Sequence, residues 1–245
     1  MRSVKIQQLI VKAKQRMNAC RDPLHAYDHV ERVVQNVKLL SHEYRLNQQQ
    51  RQALILAAWW HDVSRAMTKR PSLIWMPLLD DLISACMLWK ETIRCGLFGS
   101  VVGMSTRLIF CKSLGTGTIL TRVFLRKKNR ILLDILKDAD TLDILHLHRL
   151  ERVYTLVETS QLYAIGYQIN IWWFLTTTHL HMKTEAARKY IEQAIREFMA
   201  WAEQRHVIEW HARHFGTAWV EKNTARCEAL IQHLHVLNGA FRSVS

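Results

Sequence analysis

"AAWWHDVSRAM", residues 57–67, sets an imidazole beside a carboxylate, His61 and Asp62, directly behind two tryptophans. The residues leading into it, Ala53, Leu54, Leu56, Ala57 and Trp60, are apolar almost all round a helix, so this helix belongs inside the protein. Burying an imidazole and a carboxylate there costs several kcal/mol unless they are paired or hold an ion. The stretch therefore predicts a helical interior built around a polar centre.

The flanking sequence extends that helical reading. Ile6, Leu9, Ile10, Ala13 and Met17 recur at i, i+3, i+4 and predict a helix over 3–20, stopped by Asp22-Pro23. A second helix is expected to start near Asp28, with Asp28 and Glu31 as a capping box and Val30, Val33, Val34, Val37 and Leu40 as its buried stripe. The third opens at Asn47, with Gln50 as the cap's partner, and is expected to run through His61 and Asp62.

Residues 71–130 read as helical pieces broken at Pro77 and around Gly96, Gly99 and Gly103. "SLGTGTIL" (113–120) lacks the spacing of a phosphate loop and reads as a helix stop. After the basic cluster Arg126, Lys127, Lys128 and Arg130, one helix carries "ILLDILKDADTLDILHLHRLERVYTLVE". Thr184 caps a long helix bearing Ala187, Ile191, Ala194, Ile195, Phe198 and Trp201 on one face, and Gly216 closes that region. A last helix holds Leu230, Ile231, Leu234 and Leu237. With no strand pattern, repeat or linker, the fold class is all-α. The expectation is one helical domain over 1–245, its motif-bearing core about 22–160 and further helices over about 161–237.

Composition narrows the function classes. A 245-residue chain with 49% hydrophobic and 22% charged residues can bury a sizeable core, and only three prolines and eight glycines punctuate it, which favours long helices. A formal net charge of +13 attracts anionic partners: nucleotides, nucleic acid or an acidic membrane face. Five cysteines with no C-x-x-C pair argue against a disulfide framework and a zinc ribbon, and point to a reducing cytosol. "MRSVKIQQLIVKAKQ" lacks the apolar run of a signal peptide. The uncharged apolar run Leu162 to Leu175 spans 14 residues, short of the ~20 that cross a bilayer, so a buried core helix is expected and no transmembrane segment.

Three places put metal-capable residues into otherwise buried helices: His29 at the edge of the second helix's apolar stripe, His61 with Asp62, and Asp140 in "KDADTLD". On one helix His61 and Asp62 would point about 100° apart, with an ion between their directions. Two imidazoles and two carboxylates suit one divalent ion, Mn²⁺, Fe²⁺, Co²⁺, Ni²⁺, Zn²⁺ or Mg²⁺, with positions left for water and a substrate oxygen.

This order of motifs resembles the HD superfamily of metal-dependent phosphohydrolases. "HAYDHVERV" (25–33) is similar to its first motif, with His29 at the ligand position; "HDVSR" (61–65) resembles its HD motif; "KDADTLDIL" (137–145) resembles its D-A-D-x-L-D element, with Asp140 as ligand. "MKTEAARKYIEQAIREFM" (182–199) is similar to the C-terminal helix of small bacterial members. The resemblance implies a helical HD-type bundle, one divalent metal on His29, His61, Asp62 and Asp140, and hydrolysis of a nucleotide or other small phosphate ester by an activated water.

Asp62 would help deliver that water, with Arg65 and Lys137 supplying cations to the developing charge and Arg32, Arg65 and Lys137 binding the anionic substrate. Two departures weigh against turnover: Ala26 stands where an acid is usual, and Arg65 where some hydrolytic branches carry glutamate. No histidine lies between Val63 and Leu145, which removes the ligands of a second metal. A catalytically silent HD-fold module that binds nucleotide or nucleic acid is the competing expectation. A membrane-surface protein using "NIWWFL" (170–175) and the basic cluster is a third.

Overall fold

A computed structural model describes residues 2–69, 76–112 and 117–242. The chain is all-α, with no strand among the described residues. The helices gather into two compact units, residues 1–143 and 144–245.

In the first unit, α1 (Arg2–Asn18), α2 (Tyr27–Ser41) and α3 (Gln48–Trp60) follow the apolar periodicities closely. The α2 stripe is fully inside: Val30, Val33, Val37 and Leu40 are at zero exposure, each contributing about 1.5–3 kcal/mol of burial. α3 is interior almost all round, from Ala53 to Trp60. The tryptophans before His61 have distinct tasks. Trp60 is fully buried and its Nε1 donates to the Leu9 carbonyl at 3.1 Å, tying α3 to α1, while Trp59 packs against Tyr27 and carries the Lys14 ammonium over its ring.

Asn47 and Gln50 form the expected reciprocal cap of α3. The Asp28–Glu31 capping box does not form. α2 starts one residue earlier, at Tyr27, with Ala26 as its N-cap; Asp28 lies inside the first turn, where Arg32 Nη1 donates to it at 2.9 Å, and Glu31 accepts from the Tyr27 hydroxyl. Intrahelical i,i+4 pairing has taken both side chains away from the orphan N–H groups.

A second correction concerns the HD pair itself. α3 ends at Trp60; His61 is its C-cap, and Asp62 leaves helical geometry with φ −112° and ψ 13°. A short 3-10 turn, Val63–Met67, follows, so the chain bends between the two side chains instead of fanning them round one helix.

The segment 76–124 forms α4 (Met76–Arg94), α5 (Ser100–Phe110) and α6 (Gly117–Phe124). Pro77 sits in the first turn of α4, where its missing N–H has no helical partner to lose. Gly96, at φ +56°, makes the turn out of α4 that an L side chain rarely adopts. α4 is fastened to α1 by Glu91, buried between Lys12 at 2.8 Å and Arg16 at 2.9 Å. α5 packs on α3, its buried Ser105 hydroxyl donating to the Ala53 carbonyl at 2.8 Å. α7 (Arg130–Leu142) closes this unit against α2 and α3. The first part of "SLGTGTIL", residues 113–116, lies outside the described residues.

Where one helix was expected over 131–158, two form. α7 stops at Leu142, and α8 (Leu147–Thr159) belongs to the second unit with α9 (Gln161–His181), α10 (Glu185–Ala202), α11 (Arg205–Phe215) and α12 (Thr217–Arg242). Thr184 caps α10 as expected, accepting from the Ala187 N–H, and the long helix expected there is divided into α10 and α11. Gly216, at φ +87°, ends α11.

α9 is not buried all round: Tyr167, Ile171, Phe174 and Leu175 are inside, whereas Leu162, Ile165, Ile169 and Trp172 form an exposed stripe. No helix is long and apolar enough to cross a membrane among the described residues. The second unit's core is aromatic. Tyr154 stacks on Trp210 with centroids 3.7 Å apart, and the Tyr167 hydroxyl meets His211 Nε2 at 2.8 Å.

Candidate metal centre

His29, His61, Asp62 and Asp140 converge in the first unit. His29 comes from the first turn of α2, His61 and Asp62 from the end of α3, and Asp140 from the last turn of α7. His29 Nε2 lies 3.3 Å from Asp62 Oδ2 and 3.4 Å from Asp140 Oδ1; His61 Nε2 lies 3.5 Å from Asp62 Oδ1 and 3.7 Å from Asp140 Oδ1. Both histidines are buried, and the ligand atoms of His29, His61 and Asp140 lie within 4.8 Å of one another, a group that could hold a metal ion.

The orientation of the two rings is set from outside this centre. Asp143, at the C-cap of α7, accepts from His29 Nδ1 at 2.6 Å, and the Ala58 carbonyl accepts from His61 Nδ1 at 2.8 Å. With Nδ1 protonated, each ring turns the lone pair of Nε2 toward the carboxylates. Donor atoms about 2.1 Å from an ion stand roughly 3.0–3.4 Å apart at octahedral to tetrahedral angles, so the observed 3.3–3.7 Å is close to a ligand cage. A buried histidine held by a carboxylate is also the usual outer arrangement of a metal-ligating imidazole.

Three further charged residues, none singled out from the sequence, complete the centre. Lys112, two residues beyond α5, donates to Asp140 Oδ2 at 2.8 Å and lies 3.7 Å from Asp81 Oδ1. Asp140 thus gives one oxygen to the lysine and turns the other to the histidines. Asp80 and Asp81, adjacent on α4, are both buried. Burial pushes both carboxyls up, Asp80 to about 7 against the pull of Arg65.

Burial acts the same way on Asp62 and Asp140 but is overcome. His61 and His29 hold Asp62, and Lys112 and His61 hold Asp140, well below the usual carboxylate range. Burial opposes charging of His61 and Lys112, and the surrounding carboxylates raise both nonetheless. Asp80–Asp81 offered the same sign in the sequence as His61–Asp62, paired ionisable residues in an apolar helix. Lys112 offered only a lone cation after the apolar run of α5.

The cations expected to meet substrate are placed as follows. Arg65 is buried with its Nε against Asp80, its guanidinium 4.0 Å from Asp22. Arg32 donates from Nε and Nη2 to Asp143 and from Nη1 to Asp28. All three nitrogens of the Arg32 fork are engaged, whereas Arg65 is held through Nε. Lys137, half-buried on α7, makes no ion pair among the described residues; burial and the nearby Lys112 charge lower its pKa.

No protein-family model, curated protein or solved structure matches this chain.

Proposed function

We propose that this protein is an HD-type, metal-dependent phosphohydrolase that holds one divalent first-row ion or Mg²⁺ and cleaves a nucleotide or another small phosphate ester. The observation that carries the reading is the turning of two buried imidazoles, by Asp143 and the Ala58 carbonyl, toward the shared carboxylates Asp62 and Asp140. Without a positive charge there, either a metal ion or a second proton on His61, acceptor atoms would face acceptor atoms in a dry interior, an arrangement that costs several kcal/mol.

His29, His61, Asp62 and Asp140 would hold the ion. When bound, it supplies a water of lowered pKa and polarises a phosphoryl oxygen. Asp62, with both oxygens directed at the histidines, keeps the carboxylate charge beside the reacting water. Lys112 fixes the rotamer of Asp140 and brings a cation to the edge of the centre. Lys137 is the cation left for substrate: an arriving phosphate relieves the repulsion that Lys112 exerts on it. Arg32 and Arg65 act as positioning residues, the first through Asp143 and the second through Asp80.

A second reading, a catalytically silent HD-fold module that binds nucleotide, draws support from Arg65, which stands beside the pair and is closed off by Asp80. One experiment separates the two. Metal-stripped protein is reloaded singly with Mn²⁺, Fe²⁺, Co²⁺, Ni²⁺, Zn²⁺ or Mg²⁺ and assayed on a panel of nucleoside mono-, di- and triphosphates. Turnover with one ion, lost in Asp62→Asn, supports the hydrolase; nucleotide binding with no turnover under any ion leaves the silent module.

A further inference from the structure

The basic cluster at 126–130 has no part in the metal centre, yet the fold gives it a defined setting. A cleft of ≈ 440 Å³ in the first unit is lined by Arg107, Arg126 and Lys128 and contains no aspartate or glutamate. None of the three cations is ion-paired among the described residues. Arg107 is steadied by its Nε, which donates to the Gly103 carbonyl at 2.8 Å and leaves the terminal nitrogens uncommitted.

The rest of the lining is made of neutral hydrogen-bonding groups at the starts of three helices. Asn47, Gln49 and Gln50 begin α3, Ser100 begins α5, and Asn129 is the N-cap of α7. These ends are tied together: the Ser100 hydroxyl donates to Gln49 Oε1 at 3.0 Å, and Gln50 Nε2 donates to Asn129 Oδ1 at 3.3 Å. Three helix starts add their partial positive charge to the three side chains.

The same three helices end at the metal centre, delivering His61, Lys112 and Asp140 at or just beyond their C-terminal turns. At 1.5 Å per residue, the cleft lies about 15–20 Å from that centre. It is a separate site, with anion-seeking ends of the helices at one side and cation-seeking ends at the other.

We infer that this cleft binds a small polyphosphate anion through its phosphate groups. Three cations exceed what one monophosphate needs. The volume falls in the range of small-molecule pockets, about 300–1,000 Å³. No aromatic side chain lines it, so it lacks the platform on which single-stranded nucleic acid stacks its bases.

Titration calorimetry of metal-free protein with inorganic tripolyphosphate in EDTA, at low salt, tests the inference. Wild type binds tripolyphosphate at least tenfold more tightly than orthophosphate, and the affinity falls about tenfold on raising the salt several-fold. The triple variant Arg107→Ala/Arg126→Ala/Lys128→Ala, altered only at exposed positions and checked for native helicity by circular dichroism, loses roughly 50-fold or more. Asp62→Asn binds within twofold of wild type, which separates this cleft from the metal centre whatever the latter's function.

Three outcomes overturn the inference: unchanged affinity in the folded triple variant, loss of binding in Asp62→Asn, or tighter binding of a thymidine oligonucleotide than of tripolyphosphate.

Discussion

His29 and Asp143 stand 114 residues apart in the chain and 2.6 Å apart in space, with the imidazole Nδ1 donating to a carboxylate that Arg32 grips from the other side. That contact fixes which nitrogen of His29 faces Asp62 and Asp140. The strength of any ion at the centre therefore depends on a residue that would not touch it.

Asp143→Asn keeps an acceptor for Nδ1 but removes the charge. Metal affinity is expected to fall about 10- to 100-fold, read by chelator competition with Zn²⁺ or Co²⁺. Affinity within twofold of wild type would show that the carboxylate does not tune His29.

Lys112→Met removes the cation shared by Asp140 and Asp81. Breaking such a buried pair costs about 3–5 kcal/mol, and the lower end suits a side chain that keeps some solvent contact. A divalent ion compensates the same carboxylates. The rise in Tm on adding Mn²⁺ should therefore be larger in the variant than in wild type, and an equal or smaller rise contradicts the assignment.

Arg65→Ala is expected to act on stability first. It leaves Asp80 buried without its guanidinium, at a cost of about 3 kcal/mol by urea denaturation. Arg65→Met/Asp80→Leu should recover much of that loss, because both charges then leave together. If the double variant is as unstable as the single one, the pair is not what holds Arg65 in place.

His211 gives the second unit an acid-sensitive core. Burial lowers its pKa to about 4, against 6.5 for the ordinary group, so the native state keeps it neutral while the unfolded chain takes up a proton below 6.5. The unfolded state binds more protons between these values, and stability therefore falls as pH drops from about 6.5 to about 4, by up to about 3 kcal/mol. Above pH 6.5 this group contributes no slope. Denaturant melts at pH 7 and 5 should show stability changing less favourably on acidification in wild type than in His211→Phe, since Asp80 and His61 titrate in both; identical changes would rule out His211 as a source.

Much of the frame was legible because it is local. The α2 stripe follows from valine spacing, and the α3 start from Asn47 and Gln50, whose reciprocal bonds span three residues. The same pattern at Asp28 and Glu31 misled, because Arg32 and Tyr27, one turn away, compete for those carboxylates. His29, His61, Asp62 and Asp140 were legible as a set through a motif order, although the turn that separates His61 from Asp62 was not. Lys112 carried no local signal, and although Asp81 belongs to a paired-acid stretch and Asp143 closes the D-A-D-x-L-D element, the role of each is set by partners on other helices. The break after Leu142 likewise lacks a glycine or proline to announce it.

The distances along the chain have a consequence for biogenesis. At about 5–20 residues per second, a ribosome that has made His29 needs roughly 6–23 s to reach Asp143, 114 residues on. During that interval α2 and α3 can assemble their apolar faces, while His29 lacks the acceptor that orients it and Lys112, once made, still lacks Asp140. The polar centre of this unit is therefore the last part of it to mature, and α7 is the element whose arrival completes it.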